Sequence, residues 1–176
     1  MDSRLNSNKI FESDRLVLRP LSLTDEDFVF NLRSNDEINK YIDREKCISR
    51  EQAIEFIEKI NSLGNDGLYR VIFLRKEKIA VGGVCLLRPD WTNNVCEIGY
   101  ELLPKYQRQG IMVEAVKILM DFATSILKFD SIEAHIQPLN DRSSTLARKL
   151  GFSKIKEMKI KEINFEIYSY PNKNGV

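Results

Sequence analysis

The chain has 176 residues, 43% hydrophobic and 30% charged, the balance of an ordinary globular protein with one sizeable core. Its formal charge of +1 lacks the basic surplus of a general nucleic-acid binder, and no run of about 18 apolar residues marks a membrane span. Three widely spaced cysteines (Cys47, Cys85, Cys96), without a Cys-x-x-Cys pair, support neither a disulfide framework nor a zinc site, and Met1-Asp2-Ser3-Arg4-Leu5-Asn6 has no signal-peptide core, so a cytoplasmic protein is expected.

No internal repeat or low-complexity linker divides the chain, which reads as a single domain over residues 1–176. Residues 15–19 alternate as a short strand stopped by Pro20. Thr24, with Asp27 three residues on, predicts a helix start of capping-box type. Ser49 and Gln52 repeat that signal, and behind them Ala53, Phe56, Ile57 and Ile60 recur at helical spacing up to Gly64. Residues 68–74, 79–87 and 94–103 are rich in β-branched or aromatic side chains and predict a meander of strands. After Gly110, Met112, Ala115, Val116, Leu119, Phe122, Ala123 and Ile126 form one helical stripe. Residues 131–137 return to strand alternation, 141–150 predict a helix closed by Gly151, and 155–160 and 163–170 predict two last strands. Residues 172–176 read as a frayed tail. This order predicts an α/β (α+β) fold. It has a mixed central sheet of about seven strands, helices on both faces, and a right-handed parallel crossover between 94–103 and 131–137.

The most informative segment joins the third meander strand to its helix. The first N–H groups of a helix lack internal partners and carry the positive end of the helix dipole, so a phosphate is a natural ligand there. Gly110 removes a Cβ where an anion would approach the backbone, and Lys105 and Arg108 add charge. A tight turn that merely needs glycine fits the same residues.

Gln107, Gly110 and Met112 occupy the three marked positions of Gln/Arg-x-x-Gly-x-Gly/Ala, a motif that resembles the pyrophosphate loop of the GNAT superfamily of N-acetyltransferases. The longer run Ile98-Gly99-Tyr100-Glu101-Leu102-Leu103-Pro104, then Tyr106-Gln107 and Gly110-Ile111-Met112-Val113-Glu114-Ala115, resembles the branch of ribosomal-protein N-terminal acetyltransferases. Asn140-Asp141-Arg142-Ser143, followed by Lys149-Leu150-Gly151-Phe152, resembles that branch's second signature, and Asp14-Arg15-Leu16-Val17-Leu18-Arg19-Pro20 its start. The chain departs from the pattern at Arg108, where many relatives have glycine, at Met112, where the motif has glycine or alanine, and at Val113, where a hydroxyl is often seen.

The resemblance implies a GNAT-type domain with acetyl-CoA as co-substrate, no metal, and a small-molecule or peptide amine as acceptor. Nucleic acid and membrane are not expected partners, and the protein would be a monomer or homodimer. Gln107, Arg108, Gln109, Gly110, Ile111, Met112 and Val113 would hold the pyrophosphate. Leu102 and Leu103 would pair through their backbone with the pantetheine arm, where two strands splay, and Asn140 would bond the arm or cap its helix. Ser143 would stand near the CoA sulfur as proton donor, or be an ordinary first-turn hydroxyl.

Acetyl transfer needs a neutral amine, whereas a lysine side chain has a reference pKa of about 10.4. Glu97, a carboxylate in mid-strand between apolar residues, is the candidate base, matching the catalytic glutamate of the histone-acetylating branch. Glu101, on the same strand face, is its rival, and water a third option. His135 carries no assigned role, Tyr168 and Tyr170 read as packing residues, and residues 36–45 as a solvated loop near the acceptor. The alternatives are a non-catalytic CoA-binding regulatory module and a different nucleotide-binding α/β domain.

Overall fold

The computed structural model describes residue 5 and residues 8–172. Residues 173–176 of the expected tail lie outside the described residues, as do most of the first seven.

Eight strands form one sheet in the order β1-β2-β3-β4-β5-β6-β8-β7. They are β1 (Phe11–Glu12), β2 (Leu16–Arg19), β3 (Gly67–Leu74), β4 (Ile79–Asp90), β5 (Val95–Leu102), β6 (Ser131–Ile136), β7 (Ser153–Ile160) and β8 (Ile163–Pro171). The helices are α1 (Glu26–Ser34), α2 (Asp36–Asn39), α3 (Arg50–Asn61), α4 (Ile111–Asp121) and α5 (Asp141–Lys149). The strand beyond the expected seven is β1, two residues that pair with β2 and are too short to show a period. Residues 36–39, read as loop, form the short helix α2, capped by Asn35, whose side chain accepts from the Ile38 N–H at 3.1 Å.

The start of α1 differs from the sequence expectation. The carboxylate that reaches back is Asp25, accepting from the Ser22 N–H at 2.8 Å, and not Asp27 toward Thr24. Asp25 is fixed there by two 2.7 Å bonds from Arg19 at the end of β2. Asp27 instead faces outward to Arg50. The Ser49 signal behaves as expected, its hydroxyl accepting from the Gln52 N–H.

Two apolar layers cover the two faces of the sheet. Leu16, Ile72, Leu86, Ile98 and Ile132 pack with Ala115, Val116 and Leu119 of α4 and Ala147 of α5 on one face. On the other, Tyr69, Val71 and Cys85 pack with Val29 of α1 and Ala53 and Ile57 of α3. Alternation along β5 therefore sends Cys96, Ile98 and Leu102 toward α4, and Glu97, Gly99 and Glu101 toward the opposite face. After Asp121 the helix continues as a π-helical turn (Phe122–Ile126) before the chain enters β6.

Every neighbouring pair in the sheet is antiparallel except β5 and β6. That parallel pair is joined at only three positions, Val95–Ser131, Cys96–Ile132 and Glu97–Glu133. Beyond Glu97 the strands run on unpaired with one another. β5 stays bound to β4 as far as Leu102, and β6 to β8 as far as Ile136.

Candidate active site

The gap beyond Glu97 is edged by backbone. Glu101 and Leu103 turn toward β4: the Leu103 N–H donates to the Val81 carbonyl at 2.9 Å. Alternation then turns the N–H and carbonyl of Leu102 into the gap. The Leu102 carbonyl accepts from Gln107 Nε2 at 3.1 Å, which leaves its N–H facing the opening. Both polar groups of Leu103 are used inside the chain, since its carbonyl accepts from the Tyr106 N–H at 2.9 Å. The expected backbone pairing with an arm narrows to Leu102.

The turn from β5 into α4 passes twice through left-handed backbone, at Arg108 (φ 62°) and at Gly110 (φ 76°). The second needs glycine most, being the residue before the first helical turn. A side chain is strained at both, so the arginine at position 108 is held at a conformational cost that glycine would avoid. The first bond inside α4 runs from the Glu114 N–H to the Gly110 carbonyl at 3.1 Å. The N–H groups of Ile111, Met112 and Val113 fall in the turn where a helix has no internal acceptors. Met112 is buried on the core side, so its departure from the motif is a packing choice.

Arg15 braces this turn, and sequence reasoning gave it no role. Its Nε donates to Glu114 Oε2 at 2.8 Å and its Nη1 to the Gln109 carbonyl at 3.2 Å. Ser13 Oγ completes the clamp on Glu114 Oε1 at 2.6 Å. Nothing local marks Arg15, because its partners lie almost a hundred residues away.

On the far side of the gap α5 begins. Asn140 Oδ1 accepts from the Ser143 N–H at 3.2 Å, so the asparagine is a helix cap. Ser143 Oγ lies 2.8 Å from the Tyr100 hydroxyl of β5, which spans the gap to reach it. Burial pushes the Tyr100 phenol up to about 12. Arg142 Nη1 donates to Gln107 Oε1 at 2.9 Å and also pairs with Glu37 of α2. The start of α5 is thus bonded to both β5 and the loop.

The opposite face carries the carboxylates. Glu97 pairs with Arg88, which bulges out of β4 at φ 45°, and has His135 Nδ1 at 3.5 Å. His135 Nε2 lies 3.0 Å from Glu133 Oε2, so the imidazole sits between two carboxylates. Glu101 is set apart from this row. Its Oε1 accepts from the Tyr69 hydroxyl at 3.0 Å, and its Oε2 lies 2.7 Å from Arg44 Nη1. The hydroxyl reaches it by lying over Gly83, where a Cβ would stand 1.9 Å away. Burial, then the Glu101 charge, drives the Tyr69 phenol well above its usual value. Tyr168, read as a packing residue, is buried in the α4-side core and takes a bond from Arg148 at 3.2 Å.

The split sheet, the glycine turn and the helix that follows it converge on one fold family, and the sequence matches the acetyltransferase (GNAT) domain over residues 15–153. The chain belongs to the GNAT acetyltransferase family. It is 32% identical over 147 residues to the uncharacterized N-acetyltransferase YoaA of Bacillus subtilis, covering 82% of this chain and 83% of that one. Among solved structures it is similar to a putative ribosomal-protein-serine acetyltransferase from Vibrio cholerae. That likeness has a TM-score of 0.84 at 22% identity, covering 94% of this chain and 98% of that one. It is similar too to the spermidine N-acetyltransferase of Vibrio cholerae in complex with CoA and spermine, with a TM-score of 0.78 at 20% identity over 91% and 97%. This GNAT protein is an acyltransferase acting with acetyl-CoA. Among its described residues no helix is long and apolar enough to cross a membrane.

Proposed function

We propose that this GNAT enzyme moves an acetyl group directly from acetyl-CoA to a primary amine, either a protein N-terminus or a small amine. The observation that carries the reading is the gap between β5 and β6, with the Gly110 turn at the end of β5. Bound acetyl-CoA supplies the activated acetyl carbon. Gln107, Arg108, Gln109 and Gly110 shape the loop, and the N–H groups of Ile111, Met112 and Val113 meet the pyrophosphate. The Leu102 N–H and the Asn140 side chain hold the arm.

In the transfer the amine nitrogen bonds to the acetyl carbon as the carbon–sulfur bond breaks. The amine gives up one proton and the departing thiolate takes one. Glu97 accepts the first, directly or through water, from the face opposite α4. Ser143 donates the second. Tyr100, held as a neutral phenol by burial, lies 2.8 Å from Ser143 Oγ and fixes the serine hydroxyl at the gap. All three cysteines are buried, and burial raises the Cys85 and Cys96 thiols, so neither of these two is primed to carry the acetyl group itself.

The test is an amine screen that follows free thiol release from acetyl-CoA and includes peptides with free α-amino groups. Release that depends on an amine, with one N-acetylated product per thiol, is the expected result. Acetyl-CoA binding without amine-dependent release from any primary amine would overturn the reading.

A further inference from the structure

The acceptor face of the sheet holds an unbalanced set of charges. Arg44, in the stretch after α2, lies against Glu101, and its Nε donates to Asn39 Oδ1 at 2.6 Å. Its Nη2 is buried with no hydrogen-bond partner. Glu101 Oε2 is buried too, and its 2.7 Å approach to Arg44 Nη1 is an ion contact without hydrogen-bond geometry. A second guanidinium stands beside this pair. Arg33, at the end of α1, has its guanidinium carbon over the Phe56 ring, 3.8 Å from the centroid. It is half-buried, and among the described residues no carboxylate pairs with it.

Two guanidiniums therefore lie within the influence of one carboxylate, which contacts only Arg44 of the two and also serves Tyr69. Burial, then the repulsion of Arg44, pulls Arg33 below its ordinary value, with Glu101 acting in the other direction. An uncompensated cation kept out of water is costly, and a fold keeps one where an anion comes to meet it. The remaining charges of the same stretch do not supply that anion. Asp36 is held by Lys46 and Glu37 by Arg142, and Asp43 and Glu45 are exposed. The Phe56 ring holds one guanidinium in place, and a guanidinium's fork of donors suits a carboxylate.

We infer that the acceptor amine carries a carboxylate, which Arg33 and Arg44 bind on the sheet face that carries Glu97 and Glu101. This rests on the acetyl-transfer reading and narrows it. The acceptor is an amino-carboxylate, free or as the acidic N-terminal stretch of a peptide, and not a polycation. A polyamine would bring further positive charge against two cations already in excess.

The experiment compares three amines of equal length: 4-aminobutyrate, butylamine and 1,4-diaminobutane. Two peptides with amidated C-termini, one acidic and one basic after the free α-amine, separate the free source from the peptide source. The expected result is a kcat/KM for the carboxylated amine, or for the acidic peptide, at least about tenfold above that of its neutral or basic counterpart. Arg33→Gln should collapse that ratio through KM while CoA affinity, read by calorimetry, is kept. Arg33 is half-buried, so this variant should fold; Arg44→Gln is a second variant for the same ratio. Equal or better use of butylamine or 1,4-diaminobutane, or a ratio unchanged in both variants, would overturn the inference. Calorimetry of the amines with the protein keeps the two readings apart. Carboxylate-dependent binding without transfer would sustain the recognition and remove the transferase reading, whereas transfer without preference would do the reverse. Neither binding nor transfer would remove the inference.

Discussion

Arg15 and Glu114 stand 99 positions apart and grip one another across the Gly110 turn, with Arg15 Nε donating to Glu114 Oε2 at 2.8 Å. The same arginine holds the Gln109 carbonyl, so the ion pair fixes the loop as well as joining two elements. Arg15 is half-exposed, and a surface pair of this kind contributes only about 0.2–1 kcal/mol to stability. Its larger effect should fall on ligand affinity. Arg15→Met is expected to weaken CoA binding by roughly three- to tenfold through loss of loop pre-organisation, with the melting temperature little changed. Calorimetry beside a thermal melt checks both. A large stability loss with unaltered affinity would show that the clamp serves the fold.

Gly110→Glu should abolish CoA binding. The left-handed backbone at φ 76° costs a side chain about 1–2 kcal/mol. The new Cβ meets only Arg15 Nη2, at 3.6 Å, so there is room for the variant to fold. The carboxylate then brings like charge to a site for phosphate. Gly110→Asn is the control, since asparagine tolerates this backbone without adding charge. It should retain most of the affinity that the glutamate removes.

Ser143→Ala should slow turnover by about 10²-fold or more without raising the acetyl-CoA dissociation constant. Tyr100→Phe should reproduce part of that loss, and the double variant should lose little beyond the single serine variant, because the two hydroxyls act in series. The tyrosine also predicts a pH effect on stability. Its folded value, about 12, lies above its unfolded value of about 10. The stabilisation is therefore complete below pH of about 10 and is lost as pH climbs from there toward about 12. Wild type should lose stability more steeply than Tyr100→Phe across that interval in alkaline melts.

Glu97→Gln and Glu101→Gln should behave differently, and the difference assigns the base. Glu97 has a partly exposed partner in Arg88, so its amide variant should fold normally. Its rate should fall by roughly 10²-fold near neutral pH, and the deficit should shrink as pH rises and more of the amine is already neutral. Glu101→Gln strands Arg44 in a buried site, where removing one partner typically costs about 3–5 kcal/mol. Its defect should appear first in the melt and at every pH. If Glu101→Gln instead melts normally and carries the pH-dependent deficit, Glu101 is the base.

What the sequence showed and what it hid divide by range. The stripe from Met112 to Ala123 and the cap at Ser49 are local signals that stand in the structure where the pattern put them, whereas Ile126, expected on the same stripe, is exposed at the end of the π-helical turn. The start of α1 was misread because two overlapping cap patterns, Ser22–Asp25 and Thr24–Asp27, lie two residues apart. Arg19 decides between them from outside the helix. Residues 36–45 look like solvated loop because six of the ten are charged. Arg44 nevertheless reaches β5, and only the fold shows that its partner is Glu101. His135 between Glu97 and Glu133 is likewise a product of strand register, which a single strand's alternation does not contain.

The three-pair seam between β5 and β6 gives this sheet an open edge in its middle, where most sheets have one only at the rim. Such an edge invites any extended chain, including a stray polypeptide strand. Gln107 limits the invitation. By taking the Leu102 carbonyl it leaves a donor without the matching acceptor that a polypeptide strand would need at that residue. A slim chain that brings an acceptor at that point and no side chains satisfies what remains. One glutamine thereby works as a sieve, sorting guests by the pattern of their backbone groups before any contact with the catalytic residues.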